Sequence, residues 1–210
     1  MNYFFNPNLS NSKLTRFGQE VGLLPKWSDV EPTEAYRLGT LFDFVATDSS
    51  KIDRLNKQLI TTPYSFTNEE LERSERMYKS LSNNTFYKQI LLLNPIYQRE
   101  IYNDNFTLDG KIYVPMKAKL DLFLIGVVID LKTTIATSQR QFEALCAEFG
   151  YFRQMILYMR MCGVKRSTII GISKRAPYNV FVVHFDESHP MYRENYDMLC
   201  LLIFKCKLLK

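Results

Sequence analysis

Two aspartates and a lysine stand at a spacing that could support phosphate chemistry. Asp121, Asp130 and Lys132 lie in the stretch KAKLDLFLIGVVIDLKTT, residues 117–134. Because Asp130 and Lys132 are two residues apart, a strand projects both side chains from one face. Carboxylate oxygens suit Mg²⁺ or Mn²⁺, and a neighbouring ammonium can orient or deprotonate a water molecule, or stabilise charge on a phosphate. The spacing therefore predicts a metal-dependent phosphate site.

Alternation of apolar and polar residues predicts that this stretch forms two half-buried strands. Leu120, Leu122 and Leu124 are expected to share one face of the first strand. Ile125–Gly126 lies between the two alternating segments, and its glycine gives the backbone the freedom that a two-residue turn needs. The pattern therefore predicts a β-hairpin centred on this dipeptide.

The register of the predicted hairpin brings like charges together. It places Asp121 opposite Asp130, and Lys119 opposite Lys132. Two carboxylates on neighbouring strands repel each other, which costs stability unless a cation neutralises them. A divalent cation would do so, and Lys117 and Lys119 would extend the positive potential toward a phosphate backbone.

The elements that must position this hairpin are predicted from caps, turns and periodicity. Ser10 or Ser12 is expected to cap a first helix, and Thr33 to begin a second. Thr67 and Glu70 have the spacing of a capping box at the start of an exposed amphipathic helix. Further predictions are a strand over 96–102, a turn over 103–105, one long helix over 142–163, strands over 167–174 and 178–185, and a closing helix near 190–208.

This order of elements predicts an α/β or α+β fold, in which helices pack against a sheet. With 210 residues, the chain is long enough for one well-buried domain. Within it we expect a mainly helical part over 1–95, a sheet core with the hairpin over 96–186, and a C-terminal helix over 187–210.

Composition limits the setting more than the function. The chain is 46% hydrophobic with a net charge of +5, which is compatible with a polyanionic partner without demanding one. No apolar run approaches the roughly 20 residues that cross a bilayer, and the N-terminus has no pattern of a secretion signal. The four cysteines lack CxxC spacing, which favours reduced thiols. We therefore expect a cytoplasmic protein with no membrane partner.

Two other kinds of site are not expected. His184 and His189 do not have the spacing of zinc ligands. The chain has no GxxxxGK[ST] loop, so it should not hydrolyse ATP. The aspartates and the lysine of the hairpin therefore remain the main candidates for chemistry.

The hairpin motif resembles that of the PD-(D/E)XK nuclease superfamily. Asp121 and Asp130 give the spacing D-x8-D, and IDLK, which ends at Lys132, matches the (D/E)XK strand. Leu120 stands where the superfamily name has a proline. The resemblance implies a restriction-endonuclease-like core, with a mixed central sheet flanked by helices and an N-terminal helical extension.

Four further segments narrow the resemblance to RecB-like and RecE-type exonucleases of phages and prophages. LSNSKLTRF is similar to an S-x-S-x-L opening, and GTLFDF to a G-x-x-x-H segment in which Asp43 replaces the histidine. Gln154 and Tyr158 have the spacing of the Q-x-x-x-Y motif. ISKRAPYNVFVVHFD resembles paired strands around an A/P-P-Y corner. Together these segments extend from about residue 9 to residue 190.

This resemblance implies a Mg²⁺-dependent deoxyribonuclease, with Mn²⁺ able to substitute. The metal would be held by Asp121, Asp130, the backbone carbonyl of Leu131 and tentatively Asp43, and Lys132 would position the attacking water. It also implies 5′-to-3′ resection of DNA ends, a single-strand annealing protein as partner, a homo-oligomer, and the cytoplasm of a bacterium or of a phage host. Some relatives carry an iron–sulfur cluster, which the cysteine spacing does not favour here.

Several alternatives stay open at this point. Asp43 is either a third metal ligand or a solvated helix carboxylate, and Glu100 is either a site residue or a surface strand residue opposite a lysine. Gln154 and Tyr158 either reach the active-site groove and DNA or pack on the sheet. The chain as a whole could also be an inactive DNA-binding module, or a structure-specific endonuclease or repair nuclease.

Overall fold

A computed structural model describes residues 3–26, 33–48 and 66–209. Within these ranges, no helix is both long enough and apolar enough to span a bilayer. The helices are α1 (Asn11–Glu20), α2 (Thr33–Thr47), α3 (Asn68–Asn83), α4 (Thr85–Leu92), α5 (Gln139–Glu148), α6 (Tyr151–Cys162) and α7 (Tyr192–Leu208), after a 3-10 turn at Tyr3–Phe5. The strands are β1 (Ile96–Phe106), β2 (Val114–Leu124), β3 (Val127–Thr134), β4 (Arg166–Ser173) and β5 (Val180–Asp186).

The described strands form one mixed sheet in the order β1-β2-β3-β4-β5. Neighbouring strands are antiparallel except β3 and β4, which run parallel. The connection between β3 and β4 contains α5 and α6, because parallel neighbours need a crossover rather than a tight turn. The predicted turn at Ile125–Gly126 joins β2 to β3, and Gly126 has a φ of +86° that suits glycine.

Helices cover both faces of the sheet, and each face has its own core. The α6-side core contains buried residues of α1, α5, α6 and α7, among them Leu14, Phe142 and Leu199. The α2-side core contains buried residues of α2, α3 and α4, among them Leu38 and Met77. This is the predicted α+β architecture with a helix-flanked mixed sheet.

Two predicted helix starts are confirmed by their caps. Ser10 accepts the Lys13 N–H and caps α1, which decides between the two serines. The Thr67 side chain accepts the Glu70 N–H, and Glu70 accepts the Thr67 N–H in return, which completes the capping box of α3. Each cap satisfies backbone donors that have no partner inside the first helical turn.

Two predicted elements were wrong. The long helix over 142–163 is divided into α5 and α6, because Gly150 has a φ of +68° that ends one helix and begins the next in a new direction. The turn over 103–105 is absent, because β1 continues to Phe106 and passes an irregularity between Asn103 and Phe106. Polar residues that are typical of turns thus occupy an edge strand, where Asn103 Oδ1 accepts the Asn105 N–H at 3.0 Å and Asp104 Oδ1 accepts from Asn8 Nδ2 at 3.0 Å.

Close packing beside β3 requires a glycine on β4. Gly171 pairs with Lys132, and a Cβ atom at Gly171 would overlap the ring of buried Phe142 from α5. Gly39 in α2 differs, because a Cβ atom there would lie 3.7 Å from the Thr133 hydroxyl, at ordinary contact distance.

We expect Gly171→Ala to destabilise the protein by roughly 1–3 kcal/mol, because overpacking forces Phe142 to move. For a chain of this size each kcal/mol lowers Tm by about 2–4 °C, and thermal unfolding measures the change. Gly39→Ala is the matched control and should leave Tm unchanged or raise it, because alanine favours a helix interior. Equal Tm values for the two variants would contradict the packing.

Candidate active site

Strands β2 and β3 separate where their aspartates lie. The last backbone pair before this point joins Leu122 to Ile129, and the same register places Asp121 opposite Asp130, as predicted. There the Asp121 carboxylate itself bonds to the neighbouring strand, because its Oδ2 accepts the Leu131 N–H at 2.8 Å. The carboxylate of Asp121 therefore lies beside the backbone that carries Asp130.

The predicted alternation along β2 was wrong at Asp121. Leu120 packs in the α6-side core and Leu122 in the α2-side core, although residues two apart on a regular strand share a face. On β1, Gln98 lies between the partners of these two leucines and has a φ of +51°. Strands β1 and β2 are thus both irregular at the level of Asp121. Alternation of apolar and polar residues assumes a regular strand and cannot predict this.

Asp130 is enclosed by groups from two elements. Its residue is only 2% exposed, and Gln154 Nε2 donates to Oδ1 at 3.0 Å. Lys132 Nζ lies 2.5 Å from Oδ2. The Lys132 ammonium is therefore the ionic partner of Oδ2. Among the described residues, Oδ2 accepts no other hydrogen bond. A buried carboxylate oxygen with unused lone pairs is an available ligand for a hard cation.

Helix α6 supplies the pair that the sequence predicted at this site. Gln154 contacts Asp130, and it also donates to the Tyr158 hydroxyl at 2.9 Å. Both side chains therefore project toward the two strands, one helical turn apart. Tyr158 is 8% exposed and supports Gln154 from behind. A direct contact of either side chain with DNA remains a prediction.

Sequence reasoning missed Tyr151, the first residue of α6. Lys132 Nζ lies 4.9 Å from the centre of its ring, at the distance of a cation–π contact. The ammonium thus has the Asp130 carboxylate and an aromatic face as neighbours. Gly150 was the available signal in the sequence. A glycine inside a predicted helix can end that helix, and the next helix then begins at the following residue, which is Tyr151.

Asp121 and Asp130 place two carboxylates close together in a buried position. Burial and then the charge of Asp130 raise the pKa of Asp121 from 3.8 to about 8, although Lys132 and the Leu131 N–H oppose the change. Burial lowers the pKa of Lys132, but the charges of Asp130 and Asp121 outweigh burial and raise that pKa above its ordinary value. Lys132 is therefore a permanent cation at neutral pH, able to act by charge and position rather than as a base.

Asp43 lies on α2 near these groups. Its Oδ1 accepts a hydrogen bond from Gln98 Nε2 at 2.9 Å, and its charge adds to the raised pKa of Asp121. In the ranges that the structure describes, no three His, Cys, Asp or Glu side chains are grouped closely enough to hold a metal ion. Asp43 therefore influences Asp121 without completing a cluster of three acids, and its role as a ligand remains a prediction.

The donors present fit a hard divalent cation that keeps part of its water shell. Asp121 and Asp130 supply carboxylates, and Mg²⁺ in nucleotide sites commonly takes one or two carboxylates together with water and substrate phosphate. The raised pKa of Asp121 marks a place where additional positive charge would be stabilising. The Leu131 carbonyl as a further ligand remains a prediction.

The structure does not bring Lys117 to the site. Its residue is 3% exposed, and its Nζ donates to the backbone carbonyls of Tyr3 and Asn6 in the N-terminal segment. This corrects the prediction that Lys117 contacts substrate.

Lys119 on β2 pairs with Glu100 on β1. Glu100 is therefore an exposed strand residue opposite a lysine, which is one of its two predicted alternatives. Contact of Lys119 with a phosphate stays a prediction.

Comparison with protein families covers most of the chain. Residues 22–207 match the family described as a PDDEXK-like domain of unknown function (DUF3799). This range includes both aspartates, Lys132 and helix α6. No curated protein matches the sequence.

Similar solved structures have low sequence identity to this chain. A protein of Eubacterium rectale, provisionally assigned as an exonuclease, has a TM-score of 0.62 and 17% identity, covering 91% of this chain and 73% of that one. A phage-related exonuclease from Haemophilus somnus has a TM-score of 0.47 at 11% identity, covering 96% of both chains. An alkaline exonuclease from Laribacter hongkongensis has 0.41 at 12%, covering 96% of this chain and 89% of that one. Only the first similarity is strong enough to show the shared fold.

Asp121→Asn should stabilise the metal-free protein at pH 8 by roughly 1–3 kcal/mol, because it removes a buried charge whose pKa is raised to about 8. From about pH 4 to about pH 8 the folded protein binds more protons at Asp121 than the unfolded protein does. Wild-type stability therefore falls as pH rises through this window. Denaturant unfolding in a chelator at several pH values measures the difference.

The control for this prediction is Glu75→Gln, which removes an exposed carboxylate from α3. It should keep the pH dependence of the wild type. An Asp121→Asn protein whose stability falls with pH as steeply as that of the wild type would show that Asp121 does not cause the pH dependence.

Proposed function

Because the chain belongs to the family of PDDEXK-like domains, we propose that it is a Mg²⁺-dependent deoxyribonuclease that hydrolyses phosphodiester bonds of DNA. One observation carries the proposal: Asp121, Asp130 and Lys132 meet where β2 and β3 separate, with Lys132 Nζ 2.5 Å from Asp130 Oδ2. Paired carboxylates and a permanent cation are the groups that metal-assisted hydrolysis of a phosphodiester uses.

Asp121 and Asp130 hold the metal in this proposal, with the Leu131 carbonyl and Asp43 as further ligands, and Mn²⁺ can substitute. When bound, the ion activates water for attack and offsets the negative charge of the phosphate. Lys132 positions the attacking water and stabilises charge on the phosphate, whose 3′ oxygen leaves, so that the product carries a 5′ phosphate.

The surrounding residues keep these groups in place. Gln154 fixes the Asp130 carboxylate through Oδ1, which leaves Oδ2 directed toward Lys132. The Tyr151 ring limits where the Lys132 ammonium can lie. Rigid support of this kind matters because hydrolysis by charge and position is sensitive to small displacements.

The finer proposal is 5′-to-3′ digestion of duplex DNA ends in recombination of the phage type. It includes a single-strand annealing protein as partner, a homo-oligomer as the working form, and the cytoplasm of a bacterium or phage host. Support comes from the motif resemblance and from the fold shared with the Eubacterium rectale protein that is provisionally assigned as an exonuclease. Linear and closed circular duplexes test it, because an enzyme that needs an end digests only the linear form, whereas a structure-specific endonuclease cuts flapped substrates.

Lys132→Ala should lower the rate of hydrolysis of linear duplex DNA with Mg²⁺ by roughly 100-fold or more, because it removes the cation beside the reacting phosphate. Lys111→Ala, at an exposed position after the Asp109–Gly110 turn, is the control and should keep wild-type activity. The rate of release of nucleotides from labelled DNA measures both. Equal activity of Lys132→Ala and wild type would refute the proposed mechanism.

A DNA-binding module without nuclease activity is the second candidate, and the position of Asp43 favours it. Asp43 replaces the histidine of the resembling family, and the described acids form no cluster of three. Isothermal titration calorimetry separates the two functions. We expect Mg²⁺ or Mn²⁺ to bind the wild type and not an Asp121→Asn/Asp130→Asn protein; DNA affinity without any metal binding would instead indicate the module.

A further inference from the structure

The turn between β4 and β5 leaves the sheet beside the candidate active site. Lys132 pairs with Gly171, and Thr134 with Ser173, on the parallel strands β3 and β4. Directly after this ladder, the Lys174 N–H donates to the Thr134 carbonyl at 2.7 Å. The turn is therefore attached to the carboxyl end of the strand that carries Asp130 and Lys132.

Helix α3 holds the backbone of this turn from the α2 side. The Arg73 guanidinium donates to the Lys174 carbonyl from Nε at 2.9 Å and from Nη2 at 2.5 Å. The Ser80 hydroxyl donates to the Tyr178 carbonyl at 2.7 Å. Within the turn, the Tyr178 N–H donates to the Arg175 carbonyl at 2.8 Å. The turn is thus fixed at both ends by side chains of another element.

The backbone at Tyr178 supports a functional reason for this fixation. Its φ of +61° is uncommon for a residue with a large side chain and costs energy that the surrounding bonds must offset. Residues held in such conformations cluster at binding and active sites. Turns between antiparallel strands can contain such residues, and here bonds to α3 and β3 hold the turn that contains Tyr178.

Arg175 is the cation that this fixed backbone presents. Its side chain is exposed, and in the described part of the chain its guanidinium makes no hydrogen bond or ion pair. Arg73, by comparison, uses its guanidinium on the Lys174 carbonyl. A guanidinium has five donors in a planar arrangement that matches phosphate oxygens.

We propose that the β4–β5 turn, residues 173–179, is a preformed contact for the DNA backbone in which Arg175 binds a phosphate. The identity of the ligand rests on the proposed function. With a strand rise of about 3.3 Å per residue, Arg175 lies on the order of 10 Å beyond the level of Lys132. This span corresponds to about three base pairs of rise along the axis of duplex DNA. A single strand can therefore reach the catalytic lysine and the turn together.

Binding of a labelled linear duplex tests the contact, measured by fluorescence anisotropy over a range of salt concentrations. All proteins carry Lys132→Ala, so that the DNA is not cut. Adding Arg175→Ala should weaken binding by about tenfold and reduce the slope of log K against log salt by about one. Adding Arg175→Lys should keep most of that slope. In proteins with Lys132, Arg175→Ala should raise KM and leave kcat unchanged.

Arg166→Ala is the matched control, because Arg166 lies exposed at the amino end of the same strand, opposite Asp186. It should bind DNA as the wild type does. An unchanged salt slope for Arg175→Ala overturns the inference even if the protein cuts DNA. A reduced slope in a protein that binds DNA but never hydrolyses it supports the contact while it removes the proposed nuclease function.

Discussion

The structure depends on keeping two carboxylates close together in a partly buried opening between strands. Burial, and then the negative charge of Asp130, raise the pKa of Asp121 there. The chain offsets this with the Lys132 ammonium, the Leu131 N–H and the Gln154 amide. These groups offset only part of the cost, because the pKa of Asp121 stays raised in their presence.

That constraint explains why the surrounding packing is tight. Lys132 must stay near Asp130, and its strand is held by the parallel ladder to β4, where Gly171 lets Phe142 approach the sheet. Helix α6 must begin where Tyr151 meets the ammonium, and the left-handed backbone of Gly150 sets that start. Gly150 thus permits the backbone path that brings Tyr151 to the Lys132 ammonium. Gly171 permits the close approach of Phe142 beside the strand that carries Lys132.

The part of the site that is local in sequence could be predicted, and the part that is built by distant segments could not. Spacing along one hairpin fixed the register of Asp121 against Asp130, and helical spacing placed Gln154 with Tyr158. Lys117 was misjudged because its partners belong to the N-terminal segment, more than 100 residues earlier in the chain. Alternation was wrong at Asp121 because a strand irregularity depends on the neighbouring strand.

Asp43 shows how the site differs from one that has a histidine at this position. A neutral imidazole would add no charge, whereas the carboxylate of Asp43 further raises the pKa of Asp121. The Gln98 amide orients this carboxylate, and Gln98 itself has an unusual backbone conformation at the level of Asp121. The added negative charge makes the ionised form of Asp121 less favourable in the folded protein. An aspartate at this position therefore adds negative charge to the candidate site without completing a cluster of three acids among the described residues.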